Sequence, residues 1–170
     1  MAIGGLVAEG RKRQGMTQED VSIEVNYSRE AIAKYETGNR SMPKELYPKI
    51  TQSIDDPELY FDSWGATTGY VSIPYFDGEH IDRHPTSMVY MTKRETDEAF
   101  EHLNQICWAK PAKVFSESDK ELLKKSLLET LDASATMINM VAAICSEHQI
   151  SMKALFQSWH VSLKSRKFKV

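Results

Sequence analysis

The sequence predicts a mainly α-helical protein, with four or five short helices at the N-terminal end and a helical C-terminal region beyond an acidic, turn-rich stretch. Three observations carry this. Apolar residues recur at three- and four-residue intervals through residues 3–54 and again from about residue 93 onward. Between Gly65 and Ser87 that period is lost and Gly, Pro, His and Asp punctuate the chain. Charge follows the same division: residues 1–54 carry eight Lys/Arg and seven Asp/Glu, residues 55–109 three and eleven, and residues 110–170 ten and six. The expected organisation is therefore a small helical domain over 1–61, an acidic connector over 62–92 that can hold a short strand, and a helical oligomerisation or regulatory domain over 93–170.

At 170 residues and 41% hydrophobic content the chain has the composition of a folded, soluble protein. Its start lacks a basic segment followed by an apolar signal core, and the uncharged run 133–146 is too short and too polar for a membrane span, so a cytoplasmic protein is expected. Cys107 and Cys145 lack zinc-site spacing and read as small hydrophobes. The net charge of −3 does not exclude a polyanionic partner, because exposed charges more than about 10 Å apart are screened at ordinary salt. The excess of acid over residues 55–109 argues against the acidic middle as the surface that meets one.

Taken in order, Ile3, Leu6, Val7 and the stem of Arg11 predict a first helix over about 3–14, stopped by Gly15. Thr17 is an N-cap with Asp20 three residues on, and Val21 and Val25 set a second helix over 18–25. Asn26 tolerates the left-handed backbone that ends it. Ser28 caps a third helix with Ala31, Ile32 and Tyr35 inward, and Gly38 stops it. The outward positions are then Arg29, Glu30, Ala33 and Lys34. Two short helices about a tight turn, the second opening on polar groups, suit a major groove about 12 Å wide. Arg29 can donate to guanine O6 and N7, Glu30 can accept from a cytosine amino group, and Lys34 can reach a base or a phosphate. Ser41-Met42-Pro43 opens a further helix with Leu46, Ile50 and Ile54 four apart, and Asp55-Asp56-Pro57 ends it. A short fifth helix or a loop follows around Glu58–Phe61.

The stretch from Gly15-Met16-Thr17-Gln18-Glu19-Asp20-Val21 to Ile32, Tyr35, Glu36 and Gly38 resembles the phage repressor and Cro-type helix-turn-helix proteins, also called the Xre family, over about residues 3–55. The resemblance implies a DNA-binding domain and no enzyme. By motif position, Gln18 matches a residue that meets the phosphate backbone and buttresses the third helix. Ser28, Arg29, Glu30, Ala33 and Lys34 match the DNA-facing positions, Asn39 and Arg40 a backbone-contacting loop, and Arg11 with Glu36 a structural ion pair. Asn26 stands where the family usually has Gly, and Thr37 where Asn is common.

Beyond the connector, Ala99, Leu103 and Ile106 predict a helix over 93–108 that Pro111 breaks. Ser116 or Ser118 caps the next, whose apolar side runs through Leu122, Leu123, Leu127, Leu131, Ile138, Val141 and Ile144, either as one helix of about thirty residues or as two bent near Ala133–Thr136. A last helix begins near Ser151 with Leu155, Phe156 and Trp159 on its packed side. The long apolar run makes Leu123, Leu127, Leu131, Ile138 and Val141 the candidate oligomerisation surface. Tyr70–Phe76 can form an edge strand, given Pro74. Asp77, Glu79, His80, Asp82 and His84 have ligand atoms but no recognisable loop pattern, so no metal and no cofactor are expected. His102 and Cys107 lack a third orienting group for nucleophilic catalysis. Lys164, Arg166, Lys167 and Lys169 read as solubilising, with supplementary phosphate contact as the alternative.

The function expected is a transcriptional regulator of phage or prophage type, a repressor that binds a double-stranded DNA operator as a dimer. A DNA-binding assembly or packaging-recognition protein, and an antitoxin-like adaptor that holds a protein partner through its C-terminal region, are the alternatives.

Overall fold

A computed structural model describes residues 3–170. The helices are α1 (Ile3–Arg13), α2 (Gln18–Val25), α3 (Arg29–Glu36), α4 (Tyr47–Ile54), α5 (Pro57–Thr68), α6 (Pro85–Asn104), α7 (Glu117–Glu147) and α8 (Met152–Ser165), with 3₁₀ turns at Lys44–Leu46 and Ala112–Val114. There is no strand among the described residues. The chain divides into two compact units, one formed by the chain up to Tyr75 together with Cys145–Val170, the other by Phe76–Ile144.

The first unit is built around Val7, Val21, Val25, Ile32, Tyr35, Leu46, Ile50, Ile54 and Leu59, all buried. Each short helix is closed by its own sequence. Thr17 Oγ1 accepts from the Asp20 N–H at 3.1 Å while Asp20 accepts from the Thr17 N–H at 2.7 Å, a reciprocal cap that also holds the Asp20 carboxyl below its ordinary pKa. Asn26 ends α2 at φ 57°, so the asparagine does fill the position where glycine is usual. Ser28 caps α3 by accepting from the Ala31 N–H at 3.2 Å. Glycine decides one packing distance: a Cβ on Gly4 would sit 1.9 Å from the Tyr35 carbonyl oxygen, so only glycine lets α1 lie against the end of α3.

The α4–α5 corner uses two consecutive aspartates for two purposes. Asp56 caps α5 by accepting from the Leu59 N–H at 2.9 Å and receives Arg13 at 2.6 and 3.0 Å, an ion pair the sequence reading did not include. Asp55, left-handed at φ 52°, accepts from the Tyr60 hydroxyl at 2.9 Å; burial, and then this bond, push the Tyr60 pKa up. Asp55 also takes the start of α8, accepting from the Lys153 N–H at 2.9 Å and from the Ser151 hydroxyl, while Lys153 Nζ donates to the Gln52 carbonyl at 2.9 Å.

Several expected features are corrected, among them the helix expected to open at Ser41-Met42-Pro43, which begins at Tyr47 after a 3₁₀ turn over Lys44–Leu46. Helix α5 runs on to Thr68, past residue 61, because Asp56 and Pro57 give it a strong start and Leu59 and Phe61 an inner face. The segment Tyr70–Phe76 does not take up the edge strand open to it: Thr68 and Ser72 hydroxyls bond the carbonyls of Val71 and Gly69, closing a turn, and no neighbouring strand among the described residues offers a ladder. Residues 93–170 are not one domain, since the segment from Cys145 onward belongs with α1–α5.

In the second unit α6 begins at Pro85, inside the stretch read as connector, with Pro at its first turn and Met88, Thr92 and Ala99 on its buried side. Trp108 is exposed, its indole N–H donating to the Leu103 carbonyl at 3.1 Å. Ser116 and Asp119 form a reciprocal cap for α7, and Lys110 and Ser116 together hold the Asp119 carboxyl below its ordinary pKa. Helix α7 is a single 31-residue helix without a break at Ala133–Thr136. Its buried positions are small or polar, namely Ser126, Ala133, Ala135, Thr136, Asn139, Ala142, Ala143 and Cys145. Asn139 is satisfied there, accepting from the Phe76 N–H at 2.8 Å and donating to the Ala135 carbonyl at 2.9 Å. By length and composition the whole helix meets the requirement for crossing a bilayer, which the run 133–146 does not, a test that core helices of soluble proteins also pass. Cys145 is buried and its thiol pKa raised by that burial; Cys107 is exposed. No group of three metal-ligating side chains lies together among the described residues.

Gly4→Ala tests the α1–α3 approach. Although alanine favours a helix by about 1 kcal/mol over glycine, the clash with Tyr35 should lower stability by about 1–3 kcal/mol in urea titration; unchanged stability would mean that α1 is not held by that contact.

Candidate nucleic-acid interface

The inner side of α3 is fixed before its outer side is considered. Ile32 and Tyr35 are buried, and the carboxylate of Glu36 at its last residue accepts from Arg11 Nε at 2.6 Å and Nη2 at 2.8 Å. The pair is 11% and 4% exposed in its side chains, and the bidentate bond raises the Arg11 pKa further above its ordinary value. Arg11 Nη1 donates to the Met16 carbonyl at 2.8 Å, so one guanidinium ties α1 to the turn before α2 as well. The ion pair expected from the resemblance is thus present.

Gln18, half-buried at the first turn of α2, donates through Nε2 to Glu36 at 2.9 Å. That contact is the one by which Gln18 buttresses the third helix. On the outer side, Arg29, Glu30 and Lys34 are exposed and Ala33 is half-buried. Among the described residues, none of the three charged side chains is engaged by another protein group. Asn39 and Arg40 are exposed in the turn that follows, where the Arg40 N–H donates to the Lys34 carbonyl at 3.1 Å and its guanidinium lies 5.5 Å from the Tyr35 ring centre. Ser28, exposed at the N-cap, completes the set.

An open cleft between α2 and α3 is lined by Ser22, Ile23, Asn26, Tyr27, Ser28 and Arg29, among others. Two of these were not anticipated. Ile23 is 70% exposed beside the start of α3, and Tyr27 is 41% exposed, its ring edge-on to Tyr35 at 6.3 Å. An apolar residue out of phase with Val21 and Val25 was the available signal for Ile23. Its side chain is suited to a thymine methyl group.

A short helix packed against the preceding one, its first turn bearing exposed polar and charged groups beside an open cleft, defines a helix-turn-helix domain, a non-catalytic class that binds DNA. Comparison with known proteins agrees: residues 7–46 match the family model described as helix-turn-helix, so the chain carries a helix-turn-helix domain at its N-terminal end. The chain is also similar to the endothelial differentiation-related factor 1 homolog of Gallus gallus, at 32% identity over 54 residues, which is 32% of this chain and 36% of that protein. The chain thus matches only about a third of that relative's length. No solved structure matches.

Replacing Arg29 with Ala should reduce discrimination between matched and mismatched duplexes by about 1–3 kcal/mol if it reads guanine. Gln18→Ala should weaken binding to both evenly. Salt-titrated binding separates them, and an Arg29→Ala protein that is folded and discriminates like the wild type would remove Arg29 from base reading.

Proposed function

We propose that this protein is a sequence-specific transcriptional regulator that binds a double-stranded DNA operator and represses by occupying it. The observation that carries this is the division of α3 into a locked side and a free side. Arg11, Gln18 and Glu36 fix its orientation, while Ser28, Arg29, Glu30, Ala33 and Lys34 stand outward, the charged groups unpaired among the described residues. Fixed orientation is what base reading needs, because a bidentate contact tolerates little misplacement. A cytoplasmic location goes with this function, since the operator must be reachable.

One domain of this size covers a half-site, and the proposal includes a dimer that sets two recognition helices about 34–36 Å apart. Its support lies on α7, where Leu127, Leu128 and Leu131 are 51–61% exposed. Leu123, Ile138 and Val141, on the same side of the helix, are half-buried, so the open part of the expected surface is centred on Leu127 and Leu131. A second copy is the occupant proposed, because an isologous contact of that face with itself would supply the two-fold symmetry that paired half-sites require.

Two measurements test the proposal. Genomic occupancy followed by footprinting should find a paired site at a promoter, and a reporter on that promoter should fall when the protein is supplied; an unaffected reporter despite occupancy would rule out repression. Leu127→Asp and Leu131→Asp, made separately, should give folded monomers in sedimentation, since a carboxylate on an apolar interface is costly but is solvated on an exposed surface. A wild-type protein that stays monomeric both free and on DNA would sink the dimer.

A further inference from the structure

The last stretch of the chain differs from the rest in charge. Residues 148–170 contain five Lys/Arg and no Asp/Glu, in a protein of net charge −3. Four of those cations, Lys164, Arg166, Lys167 and Lys169, fall at the end of α8 and just beyond it. All four are exposed and none has a carboxylate partner among the described residues. Arg166 lies 4.8 Å from the Phe168 ring centre, which leaves its donors free. Elsewhere the exposed basic residues often have acidic neighbours, as Lys93 has Asp97, Lys120 has Glu117 and Lys124 has Glu121.

Position matters as much as charge. Helix α8 is more than a hundred residues from α3 in sequence, yet Cys145–Val170 belongs to the same compact unit. Its first turn is fastened to the α4–α5 corner by the bonds of Ser151 and Lys153 to Asp55 and of Lys153 to Gln52. A helix of 14 residues carries its far end about 21 Å from that anchor. The helix-turn-helix segment itself is weakly basic, eight Lys/Arg against seven Asp/Glu over residues 1–54, so it supplies little of the long-range attraction on which DNA affinity usually rests.

We infer that Lys164, Arg166, Lys167 and Lys169 form a second phosphate-binding surface that engages the duplex backbone flanking the site held by α3. This rests on the DNA-binding reading above. Once α3 holds a duplex, cations on the same unit meet its phosphates at high effective concentration. Phosphate contacts of this kind raise affinity without reading sequence. The exposed Trp159 and Phe168 with these cations would also suit an anionic lipid surface, but fastening to the DNA-binding unit favours the duplex.

The test is a full-length variant, Lys164→Gln, Arg166→Gln, Lys167→Gln and Lys169→Gln, compared with wild type on a mixed-sequence duplex of roughly three helical turns and on a duplex bearing a footprinted site. The salt dependence should flatten by about 3–4 in log–log slope, and affinity at about 0.15 M salt should fall on the order of tenfold or more, equally on both duplexes. If circular dichroism shows lost helix, the pair Lys167→Gln and Lys169→Gln, beyond α8, should flatten the slope by about half as much. A slope and affinity like those of the wild type would overturn the inference, while Arg29→Ala losing discrimination in the same assay would leave the helix-turn-helix reading standing. A wild type that binds neither duplex would overturn both. Binding to phosphatidylserine vesicles that the variant loses, with its DNA slope unchanged, would overturn the inference in favour of lipid.

Discussion

Glu36 is a carboxylate with 4% of its side chain in water, and a charge so placed is tolerated only when its lone pairs are filled. Arg11 fills two of them and Gln18 a third, while the remaining arm of Arg11 holds the Met16 carbonyl. Four pieces of chain therefore meet at one ion pair: α1, the turn that follows it, the start of α2 and the end of α3. Removing any partner leaves a buried charge short of bonds, which costs far more than the net worth of the pair. The fixed roll of α3 follows from this, and the free side of α3 from the fixed roll. Gly4 belongs to the same arrangement, because α1 reaches Glu36 only by lying close to the Tyr35 carbonyl.

The second anchoring point is the pair Asp55-Asp56. Neighbouring acids in sequence repel, but the left-handed backbone of Asp55 turns the two carboxylates to different partners. Asp56 joins α5 to α1 through Arg13, and Asp55 joins the same corner to α8. A segment that local sequence assigns to the C-terminal region is in this way made part of the N-terminal unit.

Helix α7 reverses the usual relation between residue size and burial. Alanines, Thr136 and a satisfied Asn139 face inward, and Leu127, Leu128 and Leu131 face water. Small inward residues permit close approach of neighbouring chain, and the leucines they displace are left as apolar surface whose burial would be favourable at roughly 25 cal/mol per Å².

Much of the first unit was legible in the sequence because its signals are local. Caps at Thr17 and Ser28, the turn at Asn26 and the four-residue spacing of Leu46, Ile50 and Ile54 act within one or two helical turns, and each appears where expected. The Arg11–Glu36 pair and the role of Gln18 came from the motif, since a contact across 25 residues leaves no periodic trace. The start of α6 and the extent of α5 were not legible, because Gly65 and a Pro-, His- and Asp-rich stretch carry the same signals whether they end a helix or flank one. What the sequence alone determined was where the first three short helices begin and end and which side of each is apolar. Only the tertiary structure decided which face of α7 is left in water, that Asp56 pairs with Arg13, and that α8 joins the DNA-binding unit. Those outcomes depend on which groups compete for a buried carboxylate or a packing surface, and that competition takes place between residues far apart in the chain.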